Sequence, residues 1–334
     1  MQTNMGLLAK LPAELAGEPE NTDSNDWPER QEVLYAQNNP GLWAEICRQA
    51  LTLAPNPVVR IWLLIEQANG LRRQKTWEMQ DVKGLINEAW QATQALGEGH
   101  PRQARLEEVL AYHYSLILHA EGNFGEAAEF QDVSANRASD PFLKLVNKFH
   151  AAMERLNDAI VRDNWTRITR FYTLFMEYTR AVIKQAQYSE VPEQIRWCGN
   201  VICNGTFYSW LIELASKNRP EKEREEWLTY LRSLPDDLKP AFGYALIVIE
   251  AIDAFGKGQY QRVIDLIVDD LGDEVVDLEW RANGLLVKMV AWRRLGQRQN
   301  IAASVAVLKG LVNENQLGWT AVQVAAFENN FLPW

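Results

Sequence analysis

The run Asp269-Asp270-Leu271-Gly272-Asp273 has a spacing that sets carboxylates on one helix face, where they can hold Mg²⁺ and a diphosphate. Gly272 interrupts it, and glycine more naturally ends a helix than continues one. No second acidic motif follows, so the run is taken as an acidic, solvated helix end. The four histidines are His100, His113, His119 and His150. None pairs at i, i+4, and no HExxH stands in the chain, so zinc chemistry is unsupported and packed or surface roles are expected. Gly256-Lys257-Gly258 lacks the third glycine and the Lys-Ser/Thr pair of a phosphate loop. No GxSxG elbow is present, and neither Cys198 nor Cys203 stands in a catalytic context. No catalytic, cofactor or metal residue is therefore assigned, no cofactor is expected, and the chain is expected to bind rather than catalyse.

Bulk properties narrow the partners. The formal net charge is −10, which repels phosphate backbones, and no Lys/Arg cluster stands out. Direct nucleic-acid binding is not expected; a protein or peptide partner is, with basic patches complementing the acidic chain. Three cysteines, an odd number, fit a reducing cytosol better than a disulfide framework. The first residues lack a basic n-region, and no apolar run approaches the roughly 20 residues that span a bilayer. A cytoplasmic protein without membrane contact is expected. The 13 tryptophans are unusually many. Most fall in predicted helices, which favours core packing over binding hot spots.

The elements that position these residues read as helix after helix. Residues 1–26 are polar and acidic and are expected to form a flexible tail. Helices are predicted over 28–38, 41–54, 57–73, 76–96, 101–121, 124–137, 141–162, 165–187, 192–217, 220–233, 238–256, 259–270, 277–295, 298–314 and 318–329. Prolines 28, 40, 55, 57, 101, 141, 192, 220, 235 and 240 fall at their boundaries, where a missing N–H is tolerated. Val58, Ile61, Trp62, Ile65 and Ala68 repeat at helical spacing, as do Val146, Phe149, Met153, Leu156 and Ile160, and Phe171, Phe175, Tyr178 and Val182. The β-like run Ala245–Ile249 leads into EAIDAF and is read as buried helix.

Several helix pairs share one grammar. Gly122, Phe124 and Ala127 follow a helix end, Gly258, Tyr260 and Val263 do so again, and Gly296 with Ile301 is a copy without the aromatic. Glycine supplies the positive φ that ends the first helix, the aromatic fills the wedge, and the small or aliphatic residue lets the helices cross. These segments resemble the tetratricopeptide repeat, a helix–turn–helix unit. Ala111, Tyr114, Ser115, Leu118, Gly122, Phe124 and Ala127 fall on its first-helix and turn positions, and Ala50-Leu-Thr-Leu-Ala-Pro55 looks like its second-helix ending. The first-helix Trp-x2-Leu-Gly is absent. The resemblance implies an all-α superhelix, a solenoid of TPR-like antiparallel pairs with about 14–15 helices over residues 27–329. It also implies an adaptor or regulatory subunit that binds a protein segment on its concave face.

Tyr112, Tyr114, Arg167, Arg170 and Tyr244 are the candidate contact residues, being polar or aromatic and off the apolar stripes. Phe331 and Trp334, in the aromatic tail 330–334, either cap the fold or insert into a partner. Two other readings remain open. One is a sensor with a small molecule or signal peptide in a pocket inside the superhelix. The other is a helical Mg²⁺-dependent isoprenoid-type enzyme built on Asp269.

Overall fold

The computed structural model describes residues 40–52, 56–72, 78–97, 99–216, 221–234, 242–268, 278–315 and 322–325. The expected tails 1–26 and 330–334, with Phe331 and Trp334, and the Asp269–Asp273 run lie outside these residues. Among the described residues the chain is all-α, with no strand. No helix is long and apolar enough to cross a membrane. The chain divides into two compact units, one of Met1–Ile117 with Asn136–Ala138 and one of Leu118–Ala135 with Ser139–Trp334.

The first unit holds α1 (Pro40–Leu51), α2 (Pro57–Arg72), α3 (Met79–Ala95) and most of α4 (Gln103–Ala120). Pro40 and Pro57 open their helices, where the absent N–H costs no hydrogen bond. Helix α2 packs against both α1 and α3. Two neighbours demand apolar groups on two sides, so Val59, Leu63 and Leu64 are buried together with Ile61, Ile65 and Ala68. Val58 and Trp62, expected on a single stripe, are only half-buried. Glu66 accepts the indole N–H of Trp43 at 2.9 Å, which satisfies a buried donor on α1.

The second unit holds α5 (Phe124–Arg137), apart from its last two residues, followed by α6 (Pro141–Val161), α7 (Trp165–Ala186) and α8 (Pro192–Ser216). Then come α9 (Glu221–Ser233), α10 (Gly243–Gly256), α11 (Tyr260–Leu266), α12 (Leu278–Arg294) and α13 (Arg298–Asn315). Helix α6 starts on an Asp140 cap, whose carboxylate accepts the Phe142 N–H at 2.7 Å. Its row Val146, Phe149, Met153, Leu156 and Ile160 is buried, as the spacing predicts. The Ala245–Ile249 run is helical, inside α10.

Consecutive helices pack in turn, α6 on α7 and α7 on α8. Helix α8 also touches α6, α9 and α10, and α12 receives α10, α11 and α13. Phe149, Phe175 and Phe207 are fully buried in the continuous core this makes. Each contributes on the order of 2–3 kcal/mol of transfer free energy. Helix α8 is squeezed closely: a Cβ on Gly205 would lie 2.9 Å from Thr179 of α7 and 3.1 Å from Trp227 of α9. One on Gly199 would lie 2.3 Å from the Phe242 ring.

Candidate partner-binding surface

One turn recurs four times in the second unit. Gly122, Gly258 and Gly296 have φ of 78°, 74° and 75°, the left-handed geometry their type predicts. In each case the residue after the glycine donates five positions back: Asn123 to Leu118 at 2.8 Å, Gln259 to Ala254 at 2.9 Å and Gln297 to Trp292 at 2.9 Å. That bond satisfies a carbonyl the helix end would leave open. The fourth copy joins α6 to α7 and has no glycine. Asp163 takes the left-handed position with φ of 49°, and Asn164 donates to the Ala159 carbonyl at 3.0 Å. Asp tolerates this geometry better than most side chains, so the turn survives while its sequence signal disappears.

The position two residues on carries an aromatic in three copies, with different fates. Phe124 is 2% exposed and meets the His119 ring edge-on at 5.3 Å. Tyr260 is half-buried against Phe255 at 5.1 Å. Trp165 is 41% exposed. The position five residues on is buried in all three, as Ala127, Val263 and Ile168. The α6–α7 turn therefore keeps its inner anchor and shows its aromatic to solvent.

The first two turns of α7 extend that display. The Asn164 side chain caps the helix by accepting the Arg167 N–H at 3.0 Å. Asp158 pairs with Arg162 at 2.7 Å and Arg167 at 3.2 Å. The guanidinium groups of Arg167 and Arg170 lie 5.5 and 5.7 Å from the centre of the Phe171 ring. A ring face attracts a cation, so Phe171 steadies both arginines. Arg170 has no ion pair among the described residues. Phe171 and Tyr178, expected on the buried stripe, are half-buried, and Ile168, Phe175, Thr179, Val182 and Ala186 form the true inner face. Thr166, Thr169 and Thr173 are exposed beside the arginines. The hydroxyls of Thr169 and Thr173 donate to carbonyls one turn back, each at 3.0 Å.

Arg167 and Arg170 are thus brought onto one ring, but the other candidates are dispersed. Tyr112 and Tyr114 are half-buried on α4, within the first unit. Tyr244 is buried, with a Cβ on Gly284 of α12 only 3.2 Å from its hydroxyl, so it is a packing residue. Trp165 escaped the list because its type and helical position both read as core. Its place two residues after a helix end was the available signal, hidden by Asp163 standing where glycine was sought. Arg162 and Arg167 also meet at Asp158, and Arg167 and Arg170 at Phe171, which sequence spacing alone obscured.

The groups with the most chemical potential are buried or half-buried. The His119 Nδ1–H donates to Glu154 at 2.7 and 2.9 Å. Asn157 donates to Glu154 at 3.4 Å, and the Tyr208 hydroxyl donates to Asn157 at 2.5 Å. All four are at most 5% exposed, so the chain of bonds ties the end of α4 to α6 and α8 beyond the reach of a dissolved substrate. Burial holds the His113 imidazole down to about 3, helped by the positive charge of Arg72. Burial likewise holds His150 at about 4, helped by charge at His119. Burial raises the Cys198 thiol to about 11 and Cys203 to about 12, leaving both without thiolate reactivity at neutral pH. Lys288 is buried, donating to the Ile267 carbonyl at 2.6 Å with its ammonium 4.9 Å from the Trp292 ring. Among the described residues no group of three His, Cys, Asp or Glu could hold a metal ion.

No protein-family model matches the chain, and neither does any curated protein or solved structure.

Proposed function

We propose that this chain is a protein-binding helical module, acting as an adaptor or regulatory subunit, with the start of α7 as its contact surface. The observation that carries the reading is Trp165. It occupies the turn position where Phe124 is buried, yet it is 41% exposed. An exposed indole at the helix end that also carries Arg167 and Arg170 has the composition of an interaction hot spot, in which Trp, Tyr and Arg are enriched. The recurrence of one turn at Gly122, Asp163, Gly258 and Gly296 supports a tetratricopeptide-like stacking of antiparallel pairs into a solenoid. The three buried free thiols are compatible with a reducing compartment such as the cytosol.

The test compares tagged full-length protein with its Trp165→Ala variant in crosslinked capture followed by mass spectrometry. A reproducible set of proteins should be recovered with the parent chain and lost with the variant, while the two melt at the same temperature. Equal recovery from both, or from neither, would sink the proposal.

A further inference from the structure

The copies of the left-handed turn differ in how their cations are neutralised. Five residues before the left-handed position stand Asp158 in the α6–α7 turn and Asp253 in the α10–α11 turn. Asp158 holds Arg162 at 2.7 Å and Arg167 at 3.2 Å, and Asp253 holds Lys257 at 2.7 Å and Arg232 at 3.2 Å. The α12–α13 turn has Ala291 at that position, yet it carries Arg293, Arg294 and Arg298. Arg298 stands where the other three copies place Phe124, Trp165 and Tyr260. Nor does the neighbouring sequence supply a carboxylate. From Trp280 to Asn313 the chain has Arg281, Lys288, Arg293, Arg294, Arg298 and Lys309 but neither Asp nor Glu, in a protein with 44 acidic and 34 basic side chains.

The turn gathers its three arginines. The Gln297 N–H donates to the Trp292 carbonyl at 2.9 Å, which brings the start of α13 back to the end of α12. Burial lowers the pKa of the Arg293 guanidinium, and the positive charges of Arg298 and Arg294 lower it further, so the three lie within electrostatic reach. Arg293 is half-buried, while Arg294 and Arg298 are exposed and in no ion pair among the described residues. Leu295, between them in the chain, is 40% exposed. We infer that the α12–α13 turn binds a phosphorylated segment of a partner protein, the phosphoryl group on Arg294 and Arg298 beside Arg293 and a neighbouring apolar side chain on Leu295. This surface uses none of the α7 residues, and it rests on the protein-binding reading only in taking the ligand to be a protein.

The charge selects the ligand. A phosphorylated side chain brings roughly −1.5 to −2 charges and three acceptor oxygens on one group, so it can offset two guanidinium groups at once. A carboxylate brings a single charge and two oxygens. Arginine forks match phosphate oxygens with paired hydrogen bonds. A nucleic acid is disfavoured, because a net charge of −10 opposes a run of phosphates and Leu295 has nothing to gain from one.

The experiment is fluorescence anisotropy on the full-length chain at low and high salt. The probes are labelled Gly-Leu-X-Leu-Gly peptides, with phosphoserine, glutamate or serine as X, and a labelled oligothymidine. The phosphoserine peptide should bind about threefold or more tighter than the glutamate peptide, and added salt should weaken it. The double variant Arg294→Glu, Arg298→Glu should weaken it about tenfold or more, with no fall in melting temperature. Arg262→Glu, the same change of charge at an exposed site on α11, should alter it less than about twofold. Equal binding of the serine or glutamate peptide would overturn the inference. So would failure of the phosphoserine peptide to bind, indifference to the double variant, an equal loss in Arg262→Glu, or preference for the oligothymidine. If capture depends on Trp165 while the phosphoserine peptide fails, this inference alone falls. If the phosphoserine peptide binds through these arginines while capture is insensitive to Trp165, the α7 reading alone falls.

Discussion

Single residues here divide sharply between those that specify packing and those that remain available. Tyr208 belongs to the first kind. Its hydroxyl satisfies the buried Asn157 oxygen, which stands beside the Glu154 carboxylate that holds His119. Tyr208→Phe keeps the ring and removes the donor. Loss of one partner in a buried network should cost about 1–3 kcal/mol, read as a lower urea midpoint at unchanged slope. A midpoint equal to the parent's would mean the network adds nothing to stability. None of this was visible in sequence, because His119 and Glu154 are 35 residues apart and meet only once α4 and α6 pack. Tyr244 misled for a related reason. It is off any single stripe, but α10 is enclosed by α8, α11 and α12, so a polar-looking position is core.

At the scale of elements, the turn between α6 and α7 is the informative one. Its three glycine-bearing counterparts were legible, since a glycine after a periodic apolar run has few other uses, and all three adopt positive φ. Asp163 was not legible, because Asp is equally common at caps, turns and surfaces. Helix limits fared well where proline or a cap fixes them: the predicted 141–162, 165–187 and 192–217 stand as Pro141–Val161, Trp165–Ala186 and Pro192–Ser216. The inner face of α7 fared worse, because Phe171 and Tyr178 satisfy the same periodicity as the buried row beside them. The left-handed conformation costs an L-residue roughly 1 kcal/mol that glycine avoids. Asp163→Gly should therefore raise the melting temperature slightly without altering partner capture. A fall in melting temperature would contradict the assigned geometry.

The whole molecule should respond to acid in both of its compact units. His113 lies in the first and His150 in the second. Both are held below their ordinary value of 6.5, at about 3 and about 4 respectively, chiefly by burial. The unfolded chain therefore takes up protons at these sites before the folded chain does, and stability falls as pH drops from about 6.5 toward 4. The carboxyls of Asp132 and Asp253, held below their usual range by Lys148 with Arg155 and by Lys257 with Arg232, extend the loss to lower pH. A melting temperature flat between pH 6.5 and 4 would show that the two imidazoles are not held neutral in the folded chain; His150→Phe should flatten part of the slope. The contrast between an acidic molecule and the basic start of α7 also has an optical consequence. Iodide is repelled by a net charge of −10 yet drawn to the guanidinium groups of Arg167 and Arg170, on the same helix end as an exposed indole. Part of the tryptophan emission should thus be quenched by iodide more readily than by caesium, and that part should vanish in Trp165→Phe, making the binding face its own reporter dye.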